Sequence, residues 1–184
     1  MFIKDILQQK PKSFSFEFFP PATPEGFDTL FKTIEDLKLL DPSFVSVTYG
    51  TGGKTREKTV SLVSDIVNKI GTEAMAHLTC LRSNKEEIDE VLTSLSTNNV
   101  SNIMALRGDP PKGYSSFPED EGHFTHAIQL VEFIKSNYKQ CIGVAGYPET
   151  HQEAANAQTD MEHLKLKVEA GADFIITQLF FDNS

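Results

Sequence analysis

The chain has 184 residues, of which 39% are hydrophobic and 23% are charged, and its formal net charge at pH 7 is −9. This make-up is typical of a soluble globular domain with a substantial core. The acidic balance disfavours a general nucleic-acid or anionic-membrane surface, and no apolar run approaches the roughly 18 residues of a membrane span. We therefore expect a cytoplasmic protein without nucleic-acid or membrane partners, in which Cys80 and Cys141 are buried thiols.

Short apolar runs alternate with helix-period segments along the chain. The predicted strands lie at about Ser13–Phe18, Phe44–Thr48, Ala74–Leu78, Asn102–Leu106, Cys141–Ala145 and Phe174–Gln178. The predicted helices lie near Gly26–Leu40, Glu57–Ile70, Asn84–Ser96, Phe124–Tyr138 and Asn156–Ala170. In the last helix the spacing of Ala157, Met161, Leu164 and Val168 predicts a stripe that faces the core. Strict alternation of strand and helix predicts a parallel sheet with right-handed crossovers.

The first predicted strand places a carboxylate among phenylalanines and ends at two prolines. Phe14, Phe16 and Phe18 share one face of this strand. Ser15 and Glu17 share the other face, so the carboxylate stands outside the apolar layer, where the chain leaves the strand. Taken alone, this stretch favours a surface strand whose polar face meets water.

Two architectures fit the alternation, an open doubly wound sheet and a closed (β/α)8 barrel. The first strand is not followed by Gly-x-Gly-x-x-Gly, so the dinucleotide-binding open sheet lacks its fingerprint. Polar residues instead follow or end every predicted strand, namely Glu17, Thr48, Tyr49, His77, Arg107, Asp109, Tyr147 and Gln178. In a barrel these positions form one ring around one pocket. We therefore predict an α/β fold of the (β/α)8 TIM-barrel type.

The length bears on how much of the barrel is present. A complete barrel needs about 250 residues, and the chain supplies the first six strands and five helices. We expect residues 1–184 to form a single catalytic barrel domain that is truncated at its C-terminal end or completed by a partner. The alternative is a truncated, non-catalytic barrel fragment that needs a partner or the rest of the chain.

Three sequence features can carry chemistry, and each has a plainer explanation. Arg107 and Asp109 flank a glycine, so they can bind an anion and a ring N–H, or they can pair and cap the loop. Tyr147 offers a flat ring and a hydroxyl, or it packs. A helical stripe is a binding edge or, as is commoner, a solvated face; it contains Asp160, His163 and Lys167.

A metal site is the rival interpretation of the same positions. Glu17, His77, Asp109 and His151 all belong to ligand-forming residue types. None of them lies at a tight ligand spacing such as His-x-His, so a metal-dependent hydrolase is the weaker prediction.

Six stretches resemble the methylenetetrahydrofolate reductase family, in the family's order and across nearly the whole chain. They are SFEFFPP at 15–21, VSVTYG at 45–50, AHLTC at 76–80, NIMALRGDP at 102–110, VAGYP at 144–148 and GADFIITQLFF at 171–181. The resemblance implies a barrel with FAD at its C-terminal face and with NADH or NADPH as reductant. It implies reduction of methylenetetrahydrofolate to methyltetrahydrofolate by a homo-oligomer in one-carbon metabolism.

The resemblance also implies a role for individual residues. Glu17 matches the catalytic general acid that opens the five-membered ring of the folate. Asp109 and Gln178 match folate contacts, and Thr48, Tyr147 and Gln178 match nicotinamide contacts. The positions that match FAD contacts are Tyr49, Thr51, His77, Arg107, Gly108, Asp109, His126, Ala127, Tyr147, His151, Asp160, His163 and Lys167.

Overall fold

The computed structural model describes residues 1–49, 53–109 and 122–182, without the side chains of residues 53–55. Within these ranges six strands alternate with six α-helices. The strands are β1 (Ser15–Phe18), β2 (Phe44–Val47), β3 (Ala74–Thr79), β4 (Asn102–Leu106), β5 (Cys141–Gly146) and β6 (Phe174–Thr177). The helices are α1 (Ile3–Gln9), α2 (Pro24–Lys38), α3 (Gly53–Asp65), α4 (Lys85–Thr97), α5 (Ala127–Asn137) and α6 (Ala157–Glu169), and α3 continues into a π-helical turn at Ile66–Ile70.

All six strands are parallel, and each one pairs with its neighbour in sequence, in the order β1-β2-β3-β4-β5-β6. A doubly wound sheet reverses its strand order at a switch point, whereas this sheet does not reverse. Because right-handed crossovers in one direction place their helices on the same face, the sheet curls into a wall of a (β/α)8 barrel. The predicted fold class is confirmed.

The outer face of the sheet packs against the helices. Alternate strand residues such as Val47 and Ile103 are at most 1% exposed and join one core with Ile34 of α2, Leu92 of α4 and Ile134 of α5. Phe16 and Phe18 of β1 also pack against this core. The alternation of β1 therefore directs Glu17 to the opposite, inner face of the sheet.

The inner face changes in character along the strands. At its amino-terminal end Phe44, Met75 and Met104 form an apolar cluster with Ile3 of α1. Further along the same face stand the polar side chains of β2 and β3, two residues after Phe44 and Met75. Helix α1, which was not among the predicted helices, therefore covers the apolar end and leaves the carboxyl end of the sheet to the polar groups.

The predicted core stripe of the last helix is wrong at three of its four positions, of which Ala157 is one that is exposed. Leu164 packs against the core, but Met161 is 62% exposed and Val168 is 43% exposed. The physical reason is the place of α6, which rests on α5 and β5 beside the sheet edge at β6. One side of α6 is therefore covered and the rest of it is not.

The cysteine prediction holds, because Cys80 and Cys141 are both buried and neither forms a disulfide. Burial raises the pKa of Cys80 to about 12 and that of Cys141 to about 11. Both thiols are therefore poor nucleophiles. In the part of the chain that the structure describes, the helices fall short of the length and apolarity that a membrane span requires.

Candidate functional site

The carboxylate of Glu17 is held by side chains from two neighbouring strands. The hydroxyl of Ser46 on β2 donates to Oε2 of Glu17 at 3.2 Å. The Nε2 atom of His77 on β3 lies 3.3 Å from the same oxygen. The strand register explains the meeting, since Glu17 is the direct partner of Ser46 and both face inward. Ser46 was not among the predicted site residues.

His77 is the buried member of this group. Its side chain is 13% exposed, whereas that of Glu17 is 51% exposed. Burial lowers the pKa of His77 below its ordinary value, and the nearby Glu17 carboxylate opposes this shift. The group thus joins an accessible carboxylate to an imidazole that favours its neutral form.

A cavity of about 260 Å³ lies at the carboxyl ends of β4 and β5. It brings together eight of the residues predicted to contact FAD: Arg107, His126, Ala127, Tyr147, His151, Asp160, His163 and Lys167. The stripe on α6 therefore lines a cavity and is not a plain solvated face. Leu166, Ala145 and Ile128 add an apolar lining.

Arg107 does not pair with Asp109, the partner that the loop-capping alternative required. Its two terminal nitrogens bind the carboxylate of Glu153, with Nη2 donating to Oε1 at 2.9 Å. This hydrogen bond lowers the pKa of Glu153. The pair joins the loop after β4 to the loop after β5 across the cavity. Sequence reasoning missed Glu153, because a partner 46 residues away leaves no local pattern.

The loop after β5 is anchored to the start of α6. The main-chain N–H of His151 donates to Oδ2 of Asp160 at 3.0 Å, and the ring of Tyr147 meets that of His151 edge-on at 4.5 Å. Burial raises the pKa of Tyr147, and the Asp109 carboxylate adds to the rise. These contacts bring the tyrosine, the histidine and the aspartate to one side of the cavity.

Lys167 supplies a half-buried cation to the cavity. Its Nζ donates to the main-chain oxygen of Ala145 at 2.6 Å. Burial lowers its pKa, and the Asp160 carboxylate opposes this effect. On the other side, Nδ1 of His126 lies 2.9 Å from the hydroxyl of Thr125, just before α5. Cationic and polar groups therefore face each other across an apolar floor.

The loop after β4 needs a glycine. Gly108 has φ +88°, and a Cβ there would lie 2.9 Å from the Cβ of Thr79. A larger residue would be strained in both backbone and packing. Asp109 follows it and is exposed. The glycine therefore lets the loop after β4 pack closely against Thr79.

The remaining predicted residues lie around the same rim. The hydroxyl of Tyr49 is buried, and burial raises its pKa to about 12 although the nearby Arg56 opposes the rise. Thr48 follows β2 and is half-buried, and Gln178 follows β6, where its N–H donates to the oxygen of Gly146 at 2.8 Å. Thr51 lies outside the described residues.

A larger groove of about 630 Å³ lies elsewhere, on the outer side between α3 and α4. Its lining is mostly polar helix surface, including Glu57, Asp65 and Glu90. None of the predicted site residues lines it. Within the described ranges, no three His, Cys, Asp or Glu side chains are grouped as metal ligands would be.

The fold and the site define a (β/α)-barrel protein with polar groups gathered at the carboxyl ends of its strands. The family model described as "Methylenetetrahydrofolate reductase" matches residues 2–184. The chain belongs to this family.

Curated relatives agree with the family match. The chain is 43% identical over 191 residues to methylenetetrahydrofolate reductase (NADH) 1 of Arabidopsis thaliana, covering 98% of this chain and 32% of that protein. It is 45% identical over 168 residues to 5,10-methylenetetrahydrofolate reductase of Salmonella typhimurium, covering 91% of this chain and 55% of that protein. The chain thus spans about a third of the plant relative and about half of the bacterial one.

Solved structures support the fold alone. A dihydropteroate synthase from Coxiella burnetii, solved with pteroic acid, matches with a TM-score of 0.53 at 8% identity. The match covers 91% of this chain and 61% of that one. At this identity the likeness extends to the barrel architecture and not to the site.

Proposed function

We propose that the protein containing this chain reduces 5,10-methylenetetrahydrofolate to 5-methyltetrahydrofolate, with FAD as its bound cofactor and NADH or NADPH as reductant. The observation that carries the proposal is the carboxylate of Glu17, accessible at the carboxyl end of the barrel wall in a chain of this family. A carboxyl group in that place can give a proton to a substrate that enters from the rim.

In the proposed reaction Glu17 acts as general acid. Its proton passes to the ring amine nitrogen of the folate as the carbon–nitrogen bond of the five-membered ring breaks. The electron pair of that bond goes to the protonated nitrogen, and the second ring nitrogen forms an iminium with the one-carbon unit. Hydride addition to this iminium then gives the methyl group, and a bound FAD that NADH or NADPH has already reduced would supply this hydride.

The described residues fit a flavin dinucleotide. The cavity offers Lys167, three histidines and Arg107, which is paired with Glu153, to a diphosphate. We propose that the thirteen FAD-matching positions named above bind this cofactor, Thr51 among them.

Substrate and reductant contacts are proposed for the rest of the rim. Asp109 and Gln178 bind the folate, with the exposed carboxylate of Asp109 accepting from the amino and ring N–H groups of the pterin. Thr48, Tyr147 and Gln178 contact the nicotinamide. These residues end different strands of one wall, so one pocket serves the two substrates in turn.

Replacing the acid tests this proposal. In the whole protein, Glu17→Gln removes the transferable proton but keeps the shape of the side chain, so folate reduction should fall by about a hundredfold or more. Flavin reduction by the nicotinamide should stay at the wild-type rate. Stopped-flow absorbance of the flavin times the two half-reactions separately, and Glu25→Gln on the exposed start of α2 is the matched control.

The outcomes separate clearly. An unchanged folate half-reaction in Glu17→Gln would overturn the general-acid role. Wild-type protein that carries flavin yet fails to reduce the folate would overturn the proposed function itself.

A further inference from the structure

We propose that Ser46 is a positioning residue which, together with His77, holds one oxygen of the Glu17 carboxyl so that the other oxygen carries the transferred proton. The proposal rests on the proposed function and adds a residue to it. Its basis is that both side chains meet the same atom, Oε2, at 3.2 Å and 3.3 Å. In the described ranges the structure gives Oε1 no hydrogen bond.

The hydrogen-bond capacity of a carboxyl group gives this asymmetry a chemical meaning. A carbonyl oxygen has two lone pairs and can accept two hydrogen bonds. The Ser46 hydroxyl is one such donor, and Nε2 of His77, which lies 3.3 Å from the same oxygen, can supply a second when it carries the proton of the neutral ring, so Oε2 is suited to be the carbonyl oxygen of the protonated acid. The proton then resides on Oε1, which no described residue engages.

The same contacts serve the carboxylate that remains after proton transfer. The negative charge left on Glu17 is stabilised by the Ser46 hydroxyl, which already donates to Oε2, and by the His77 ring that lies beside the same oxygen. Hydrogen bonds to charged groups are the stronger ones, and the two donors come from adjacent strands of a rigid sheet. Ser46 itself is 5% exposed, so its hydroxyl cannot be replaced by bulk water without loss.

Glu17 and His77 alone would not define the orientation of the carboxyl. A single contact leaves the carboxyl plane free to turn about its last torsion, which is broad. Ser46 is the strand partner of Glu17, and its hydroxyl adds the second contact that stops this rotation. The inner-face position of Ser46 is thus explained by the site and not by the apolar cluster below it.

The experiment uses the whole protein and two substitutions at one position. Ser46→Ala should slow the folate half-reaction by about tenfold to a hundredfold, because a hydrogen bond to a charged group is lost. Flavin reduction by the nicotinamide should change by less than about twofold. Ser46→Thr keeps the hydroxyl and should restore most of the folate half-reaction, which a merely structural defect would not allow.

The matched control is Ser43→Ala, at a buried serine just before β2. It should leave both half-reactions unchanged. If Ser46→Ala does not fold, Ser46→Cys, whose thiol is a weak donor, should show the same selective loss. Equal slowing of both half-reactions, no slowing, or no recovery in Ser46→Thr would overturn the positioning role.

A second readout does not depend on turnover. Without the Ser46 hydroxyl, the Glu17 carboxylate interacts more strongly with His77, so the pKa of His77 measured by NMR should rise relative to wild type. An unchanged titration would contradict the shared contact at Oε2. Glu17→Gln in the same series separates the two proposals. If Glu17→Gln keeps folate reduction, the general-acid role fails and the positioning role fails with it. If only Ser46→Ala is normal, the positioning role alone fails, whereas wild-type protein that cannot reduce the folate overturns the proposed function.

Discussion

His77 links the candidate acid to the buried side of the sheet. Its pKa is lowered chiefly by burial, with Glu17 opposing the shift. Below an ordinary histidine pKa of about 6.5, the unfolded chain takes up a proton that the folded chain resists. The free energy of unfolding therefore falls as the pH drops through this range, by up to about 1.4 kcal/mol per pH unit.

A histidine variant tests this pH dependence. We expect His77→Gln to lose less stability than the wild type between about one pH unit above and about one unit below 6.5. Urea unfolding of the whole protein at the two pH values measures the difference, and His123→Gln, at an exposed histidine, serves as control. Equal losses in wild type and His77→Gln would show that His77 is not held neutral by burial.

Sequence patterns predicted some of the site residues and missed others. Glu17 and His77 were predictable because each ends a strand with a polar group, and the structure puts their side chains in contact. Ser46 and Glu153 were not, because their importance lies in contacts with residues 29 and 46 positions away. Such contacts depend on strand register and loop geometry, which a local pattern does not contain.

Helix α1 is held against the sheet by one buried side-chain amide, that of Asn102. Oδ1 of Asn102, on β4, accepts from the N–H of Ile3 at 2.8 Å, and its Nδ2 donates to Glu73 at 2.8 Å. Asn102 is fully buried. The amide thus satisfies the start of α1 and fixes the helix against the amino-terminal end of the sheet.

Removing the Asn102 amide should weaken the packing of α1 against the amino-terminal end of the sheet. We expect Asn102→Ala to lower the free energy of unfolding by at least about 2 kcal/mol, because a buried N–H and a carboxylate lose their partner. Asn137→Ala, on the exposed end of α5, should change it by less than about 0.5 kcal/mol. Urea denaturation monitored by circular dichroism compares them, and equal midpoints would refute the role of Asn102.

Strands and helices were predicted well where a clear hydrophobic periodicity extends over the whole segment. Each strand was predicted to within two residues, because alternating or apolar runs are bounded by polar or glycine positions. Helix α1 was missed because its seven residues carry only two buried positions, Ile3 and Ile6. The stripe on α6 was misjudged because periodicity shows that a helix is amphipathic but not how much of it finds a neighbour.

Over the whole molecule, the proposed acid and the proposed cofactor cavity lie on different strands of the barrel wall. Strands β1 to β3 carry Glu17, Ser46 and His77, and the loops after β4 and β5 frame the cavity with Arg107 and Glu153. Both lie at the carboxyl ends of the strands, where barrel enzymes place their chemistry. The central claim is that FAD binds in this cavity beside the acid.

The measurement that tests this claim most directly is the affinity of the whole protein, freed of flavin, for FAD. Lys167→Met removes the half-buried cation and should weaken binding by about tenfold to a hundredfold, as titrated by flavin fluorescence. Lys165→Met, on the exposed side of the same helix, should stay within about twofold of wild type. If the two variants bind FAD with the same affinity, the cofactor does not occupy this cavity and the account is contradicted.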